Sequence, residues 1–394
     1  MLKKILWIGL IIVILFTIIT QPKVTFIAAT NGLKVWSQIL IPALLPFFII
    51  ANLLMSLGFI NFLGILLEPL MRSIFKIPGT GGFVMAIGFT SGFPISSLLT
   101  ADLRAQGKLT KNEAERLMSF TNNASPLFMF SAISIGMFNS PELGFILAGG
   151  HYLSNIIIGI VLGMLTRNKR RTAKYDNILK RAYYSLLQAP SLPIGQVMGE
   201  AITKGIRSIV TIGGFVLLFA IAIESFKQVG VFTFISLLFI KILSTAGFDP
   251  VLAPGMTTGL FEVTLGIKEV STTSAIFYQQ IAVTASILAW SGLSIHAQVA
   301  NFISNTDINL STFIYSRLAQ GVLAPIITLI FLSGHQTVMA PAFTEKQVQF
   351  LIKITNSPAS IVMYSTMMLA AIILLFLILS ILLLTINKLR HIIP

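Results

Sequence analysis

Apolar runs approaching 20 residues recur along the chain, separated by short polar and mostly basic segments. At 1.5 Å per residue, about 20 apolar residues cross a ~30 Å hydrocarbon core, so the pattern predicts an all-α polytopic membrane protein. Uninterrupted runs predict spans over 1–20, 35–57, 142–166, 206–223, 310–332 and 361–386. Two further helices, 112–137 and 271–303, are broken near their middles at 121–126 and 290–294. Pro126 cannot donate a backbone hydrogen bond and turns Ser125 away from the helical region. Residues 60–75 are shorter and amphipathic, and their Glu68, Arg72 and Lys76 suit a helix lying in the interface. Segment 231–246, with Lys241, is a second short piece, and 182–204 is polar and amphipathic.

Two stretches carry a different pattern. Residues 81–102, GGFVMAIGFTSGFPISSLLTAD, are apolar but interrupted from Gly88 to Pro94. Each flank is about eleven residues, reaching roughly 16 Å, half of the core. Residues 249–268, DPVLAPGMTTGLFEVTLGIK, repeat the motif: Gly255 to Leu260 lies on Gly88 to Phe93 at an offset of 167. Both read as re-entrant hairpins, the alternative for the first being one span kinked at Pro94. Backbone at that depth is tolerated only where it is buried in protein or lines a cavity. Paired Gly/Pro-interrupted segments in matching positions of two halves point to a transporter's midplane site. The hinge and tip positions are Gly88, Gly92, Pro94 and Pro126 in the first half and Gly255 and Gly259 in the second.

Charge then tests the topology. Hydrophobic residues make up 55% and charged residues 10% of the chain, and mean hydropathy is +0.89. The net charge of +14 does not point to nucleic acid, because the basic residues cluster between apolar runs. The first helix follows Lys3 and Lys4 and lacks a small-x-small cleavage site, so it reads as retained, with its N-terminus in the cytoplasm. With hairpins and interfacial helices not crossing, eight crossings place the basic clusters at 104–116, 167–181 and 388–390 all inside. A ninth crossing at 60–75 would strand 167–181 outside. Each half then holds three crossings and the halves are inverted, as in alternating-access carriers.

Four interrupted elements converge in that arrangement: the hairpin tips 88–94 and 255–262 and the breaks 121–126 and 290–294. A broken helix frees N–H groups that attract anions and C=O groups that suit cations. Thr90, Ser91, Asn122, Asn123, Ser125, Thr257, Thr258, Ser291 and Ser294 add neutral donors and acceptors. Singly, each also serves to re-satisfy freed backbone; as a set they frame a binding site. Arg317 lies inside a span, where a charge costs ~2.5–3.5 kcal/mol on insertion scales. Its fork suits a substrate carboxylate, a structural pair, or snorkelling to the cytoplasmic face. Glu262 reads as a ligand for substrate or a coupling cation, or as an exposed hairpin carboxylate. His151 and His296 rank below these. Phe93, Phe128 and Trp290 could sandwich a flat ring or simply pack. Zero cysteines exclude thiolate chemistry. There is no HExxH, GxSxG, Walker A or Asp/His metal set, so neither an enzyme nor a cofactor is expected, and transport would run on an ion gradient or the substrate's own.

The run from Gly88 to Pro94, followed by Thr100-Ala101-Asp102-Leu103-Arg104 and Glu113-Ala114-Glu115-Arg116-Leu117-Met118-Ser119-Phe120-Thr121-Asn122, closely resembles the sporulation integral membrane protein family known as YlbJ or SpoVV. That family belongs to the nucleoside-recognition (Gate) group, which is similar to concentrative nucleoside transporters. The resemblance covers nearly the whole chain and implies a spore-forming bacterium. It implies movement of dipicolinate, a small anionic aromatic substrate, from mother cell toward forespore across the outer forespore membrane. A nucleoside carrier or a non-transporting envelope scaffold are the alternatives. Glu262 and Arg317 rest on the physical argument alone. The expected organisation is an N-terminal helix over 1–31, repeats over 32–166 and 205–333, a basic linker over 167–204, and an outer loop with a last helix over 334–394.

Overall fold

A computed structural model of the chain describes residues 2–126, 128–166, 177–188, 193–335 and residue 378. The expected span 361–386, the outer loop past residue 335 and most of the basic segment 167–181 lie outside the described residues. Among the described residues every regular element is a helix. Three are long and apolar enough to cross a membrane: Leu143–Met164, Ile194–Gln228 and Leu310–Ser333.

Helix α1 (Leu2–Thr20) is followed by α2 (Pro22–Val35), with a bend of 110° between Ile8–Thr20 and Pro22–Gln38. Pro22 presets the helical φ at this start, so the helix expected from residue 35 begins earlier. It runs through a π-helical turn, Trp36–Leu40, into α3 (Ile41–Ser56). After α4 (Phe59–Leu70) a second π turn, Met71–Phe75, precedes α5 (Thr80–Ser91). Buried Leu63, Leu67, Leu70 and Met71 form one stripe of α4, the face that packs on α5. Glu68 accepts from Arg72 and, at 2.7 Å, from the Gly79 backbone N–H, which fixes where α5 begins.

Helix α6 (Ile95–Ala105) packs back against α5. The break between them is Gly92–Pro94, narrower than expected. Gly88, Thr90 and Ser91 belong to the α5 helix, Thr90 donating to the Ala86 carbonyl at 2.9 Å. Gly92 has φ +85, and a Cβ there would lie 2.7 Å from the Ser125 nitrogen. Thr110 and Glu113 form a capping box that starts α7 (Lys111–Thr121). The chain then runs non-helically through 122–125, and a π-helical segment, Phe128–Ile135, leads toward α8 (Leu143–Met164).

Helix α9 (Ile178–Leu187) packs on α4, and α10 (Ile194–Gln228) begins well before residue 206. Part of the amphipathic segment has thus merged with the span. No proline intervenes between 194 and 206, and buried Val197, Ala201, Gly205 and Ser208 continue one helical face. Trp36 donates its indole N–H to the Ile209 carbonyl at 2.8 Å, tying the first π turn to α10. After α11 (Val231–Thr245) comes the second short pair, α12 (Ala253–Phe261) and α13 (Val263–Ser271), with a single-residue break at Glu262. The tip expected over 255–262 is therefore mostly helix, and Thr257 and Thr258 sit inside α12. Gly255 and Gly259 serve close packing rather than a turn. A Cβ on Gly255 would meet Val270 at 2.6 Å, and one on Gly266 would fall on the Gly259 backbone.

The second broken helix starts at Phe277, not 271, because α13 continues to Ser271 and Gln280 donates to the Thr273 carbonyl in the turn (2.9 Å). It consists of α14 (Phe277–Trp290) and α15 (Gly292–Ile303), separated by Ser291 at φ +74. Helix α16 (Leu310–His335) packs along α14 and α8 and crosses α7. Distant turns meet in pairs. Arg104 makes a two-pronged bond to Asp307, both contacts 2.8 Å, and Glu115 accepts from the Asn309 N–H at 2.9 Å. The α6–α7 and α15–α16 turns therefore share one face. Phe138, ahead of α8, meets Phe277 at the start of α14, ring centroids 6.2 Å apart. Gln21 at the first bend donates to Gln228 at the end of α10 (3.0 Å).

Candidate functional site

The break after α7 is the most polar buried point of the fold. Thr121, Asn122 and Asn123 are fully buried although no helix satisfies the backbone around them. Other elements do so instead. Arg317, on α16 and 0% exposed, donates from Nη1 to the Asn122 carbonyl at 3.0 Å and from Nη2 to the Ser119 carbonyl. Nη2 also donates to Asn155 Oδ1 of α8 at 2.6 Å, and the Asn155 amide donates to Asn123 Oδ1. The guanidinium thus sits on the C-terminal end of α7, where the freed carbonyls carry roughly half a negative charge. Arg317 joins none of the ion pairs among the described residues. Its Nε is buried without a hydrogen-bond partner among the described residues, and its guanidinium carbon lies 5.4 Å from the Phe313 ring centre.

A second layer holds the break from α8 and the hairpin. His151 Nε2 accepts from the Ala124 backbone N–H (3.1 Å), and Gln320 donates to the His151 carbonyl (3.0 Å) and to Ser154 (3.2 Å). The Tyr152 hydroxyl lies between the carbonyl oxygens of Phe89 and Ala124, 2.9 and 3.0 Å away, joining the end of α5 to the break. The hydroxyls of Ser96 and Ser97, in the first turn of α6, donate to Asn122 Oδ1 at 3.3 and 3.5 Å. Gly88 brings α5 so close that a Cβ there would fall on the Thr121 carbonyl oxygen.

The second break is built from rings. Trp290 donates its indole N–H to the Leu260 carbonyl of α12 at 3.0 Å and packs on His296, centroids 4.2 Å apart. His296 in turn lies 5.1 Å from Phe313, the ring beneath Arg317. The second break is thus linked to Arg317 through the rings of His296 and Phe313.

Of the residues expected at the site, Asn122, Asn123 and Arg317 come together, with Phe93 near them through an edge contact to His151 (6.5 Å). Several others satisfy local backbone. Ser125 accepts from the Phe128 N–H (3.2 Å), Thr257 donates to the Ala253 carbonyl (2.9 Å), and Ser291 donates to the Ala289 carbonyl (3.3 Å). Thr258 donates to Glu269, Ser91 is buried in α5 with its hydroxyl unpartnered, and Ser294 is buried in the first turn of α15. Glu262 is neither beside Arg317 nor simply exposed: its carboxylate accepts from the Leu265 N–H at 2.7 Å and caps α13. Asn155, Ser154 and Gln320 were missed. Their signal was a polar stripe at helical spacing on apolar helices, His151–Ser154–Asn155 on α8 and Arg317–Gln320 on α16.

The Gate family, described as nucleoside recognition, matches residues 38–167, which contain the first hairpin and the first break. A 148-residue stretch, 36% of the chain, is 26% identical to an uncharacterized protein of Alkalihalophilus pseudofirmus, of which it covers 30%. No solved structure matches the chain. Over 322 residues the chain is 37% identical to the sporulation integral membrane protein YlbJ of Bacillus subtilis (strain 168), covering 80% of this chain and 79% of that protein. With the apolar spans and the Gate match, that extent of identity shows that this chain belongs to the YlbJ family of sporulation integral membrane proteins.

Proposed function

We propose that this sporulation membrane protein is an alternating-access carrier that moves dipicolinate from mother cell toward forespore across the outer forespore membrane. The observation that carries the reading is Arg317: a guanidinium buried against the first broken helix, solvated by neutral oxygens and paired with no carboxylate among the described residues. Burying an ion costs several kcal/mol, and the α7 C-terminus offsets only about half a charge. The remaining positive charge gives an anion a reason to enter, and intramembrane charge that is kept despite its cost is a functional signal. Dipicolinate is a planar aromatic dianion. Arg317 supplies charge, Phe313 supplies an apolar face beside it, and Trp290 and Phe93 lie further out, against His296 and His151.

The carrier is built from two inverted repeats with eight crossings, and its short helix pairs enter the membrane without crossing it. The element order supports this. In each half a long helix, a short helix begun by a left-handed glycine (Gly58 or Gly230, φ +77), a short helix pair, a broken helix and a long helix follow one another. Inversion requires the start of one broken helix to share a face with the end of the other. The Arg104–Asp307 and Glu115–Asn309 contacts at one end and Phe138–Phe277 at the other agree with that requirement.

A nucleoside carrier is the second reading, favoured by the description of the Gate match. Counter-flow in proteoliposomes separates the two. Labelled dipicolinate entering against an unlabelled internal pool supports the first, exchange of uridine but not dipicolinate the second, and exchange of neither rejects both.

A further inference from the structure

Two histidines are buried around Arg317, and their ring nitrogens are committed differently. In His151 the Nε2 lone pair accepts the Ala124 N–H, so a proton there would break an existing bond. His296 has its lone pair free. Its Nδ1 lies 2.8 Å from the Gly292 carbonyl oxygen, which can only accept, so Nδ1 carries the hydrogen and Nε2 the lone pair. That Nε2 is buried and has no partner among the described residues. The ring is held between Trp290 and Phe313, and Phe313 is the ring beneath the Arg317 guanidinium. A free ring acceptor thus stands one aromatic side chain from the buried cation.

We propose that His296 Nε2 is the proton-binding site through which this carrier couples anion movement to a proton gradient, an assignment that rests on reading Arg317 as the anion's partner. With no anion present, a proton on Nε2 would add a second positive charge beside Arg317 in a water-poor interior, and the empty carrier stays unprotonated. A dicarboxylate brings two negative charges, one more than Arg317 neutralises, and the surplus favours the proton. The step transfers one H⁺ from water on the entry side to the Nε2 lone pair, forming one N–H bond with no change in oxidation state. The proton leaves Nε2 when the anion leaves. By linkage, proton and anion raise each other's affinity by the same factor.

Helix α15 packs against α6, α10, α12 and α16. The charged groups those elements bring are Asp102 and Arg104 on α6, Glu200, Lys204, Arg207, Glu224 and Lys227 on α10, Glu262 at the end of α12, and Arg317 on α16. Of these, Arg317 is linked to the ring through Phe313, which lies under its guanidinium and 5.1 Å from His296.

The test uses the full chain and dipicolinate itself. Calorimetric titration in buffers of differing ionisation enthalpy, between about pH 6 and 8 where carboxylates are fully ionised, reads protons taken up per anion bound. About one proton is expected, with affinity falling about tenfold per pH unit while the pH lies between the His296 values of the empty and the loaded carrier and levelling off above the latter. Anion binding with no proton uptake overturns the assignment while leaving the Arg317 reading intact. No dipicolinate binding and no counter-flow overturns both. His296→Asn keeps a donor for the Gly292 carbonyl and removes Nε2. It is expected to bind dipicolinate more weakly, with no proton uptake, and to lose acceleration of uptake by an acid-outside gradient under clamped voltage. Wild-type acceleration in that variant also overturns the assignment.

Discussion

Asn155→Asp separates a structural arginine from an anion site. Asn155 Oδ1 is 2.6 Å from Arg317 Nη2, so the nearly isosteric aspartate puts a carboxylate directly on the guanidinium. That bond is already assisted by the guanidinium charge and worth about 1.5–3 kcal/mol; it becomes an ion pair, whose added attraction is set against the burial cost of the carboxylate. The variant gives up the amide bond to Asn123, worth about 1 kcal/mol, so the fold stays near wild type or gains about 1 kcal/mol. Binding moves the other way. At an effective dielectric near 20, an anion about 4 Å from the guanidinium gains ~4 kcal/mol, and the new carboxylate opposes it with a repulsion of similar size. Dipicolinate affinity should therefore fall by about 10²–10³-fold. The assays are thermal unfolding of the purified protein and dipicolinate counter-flow at neutral pH. A variant as stable as wild type that still exchanges at the wild-type rate would refute the anion reading and leave Arg317 as a brace for α7. A clear drop in melting temperature would refute the charge accounting itself.

Three other outcomes follow from the geometry. The chain has no native cysteine, so Arg104→Cys with Asp307→Cys can be oxidised cleanly; the disulfide should stop counter-flow and reductant should restore it, and exchange at full rate while cross-linked would show that this face never opens. The Arg104 hydrogen bond holds the Asp307 carboxyl below its ordinary value. The pairing is therefore present above the unfolded value near 4 and lost as pH falls through the lower folded one, so the hydrogen-exchange protection factor of turn 304–309 should stay flat from about pH 5 to 8 and fall only below about 4. Gly88→Ala drives a Cβ onto the Thr121 carbonyl oxygen and should cost about 1–3 kcal/mol in thermal unfolding, whereas Gly214→Ala, with nothing within 4 Å, should be neutral or slightly stabilising.

Much of this architecture was legible in the order of residues. Gly92 and Pro94 announce the first break because few other residues adopt a positive φ or block a helix so firmly, and Thr110 with Glu113 announces the start of α7. Arg317 was visible because a charge in an apolar run is costly. What sequence reasoning misplaced was glycine in the second pair. Gly255 and Gly259 look like turn residues but allow α12 and α13 to touch, and no local rule tells a packing glycine from a hinge. The partners of Arg317 were equally hidden. Ser119, Asn122 and Asn155 lie at least 162 residues away in sequence, so their meeting depends on how α7, α8 and α16 cross. The start of α10 is not legible because the polar residues before 206 mark an exposed face and not an end, while the buried face runs on unbroken.

Glu262 makes the two halves electrically unlike. Where the α7 break turns a guanidinium inward, the α12–α13 break spends its helix N-terminus on a carboxylate from its own backbone segment. Under the proposed carrier, an anion drifting toward that lip would meet a like charge with the attractive dipole already quenched. Such a scaffold would thereby acquire a preferred docking pose, with the acidic groups of a dicarboxylate turned to the first half and away from the second.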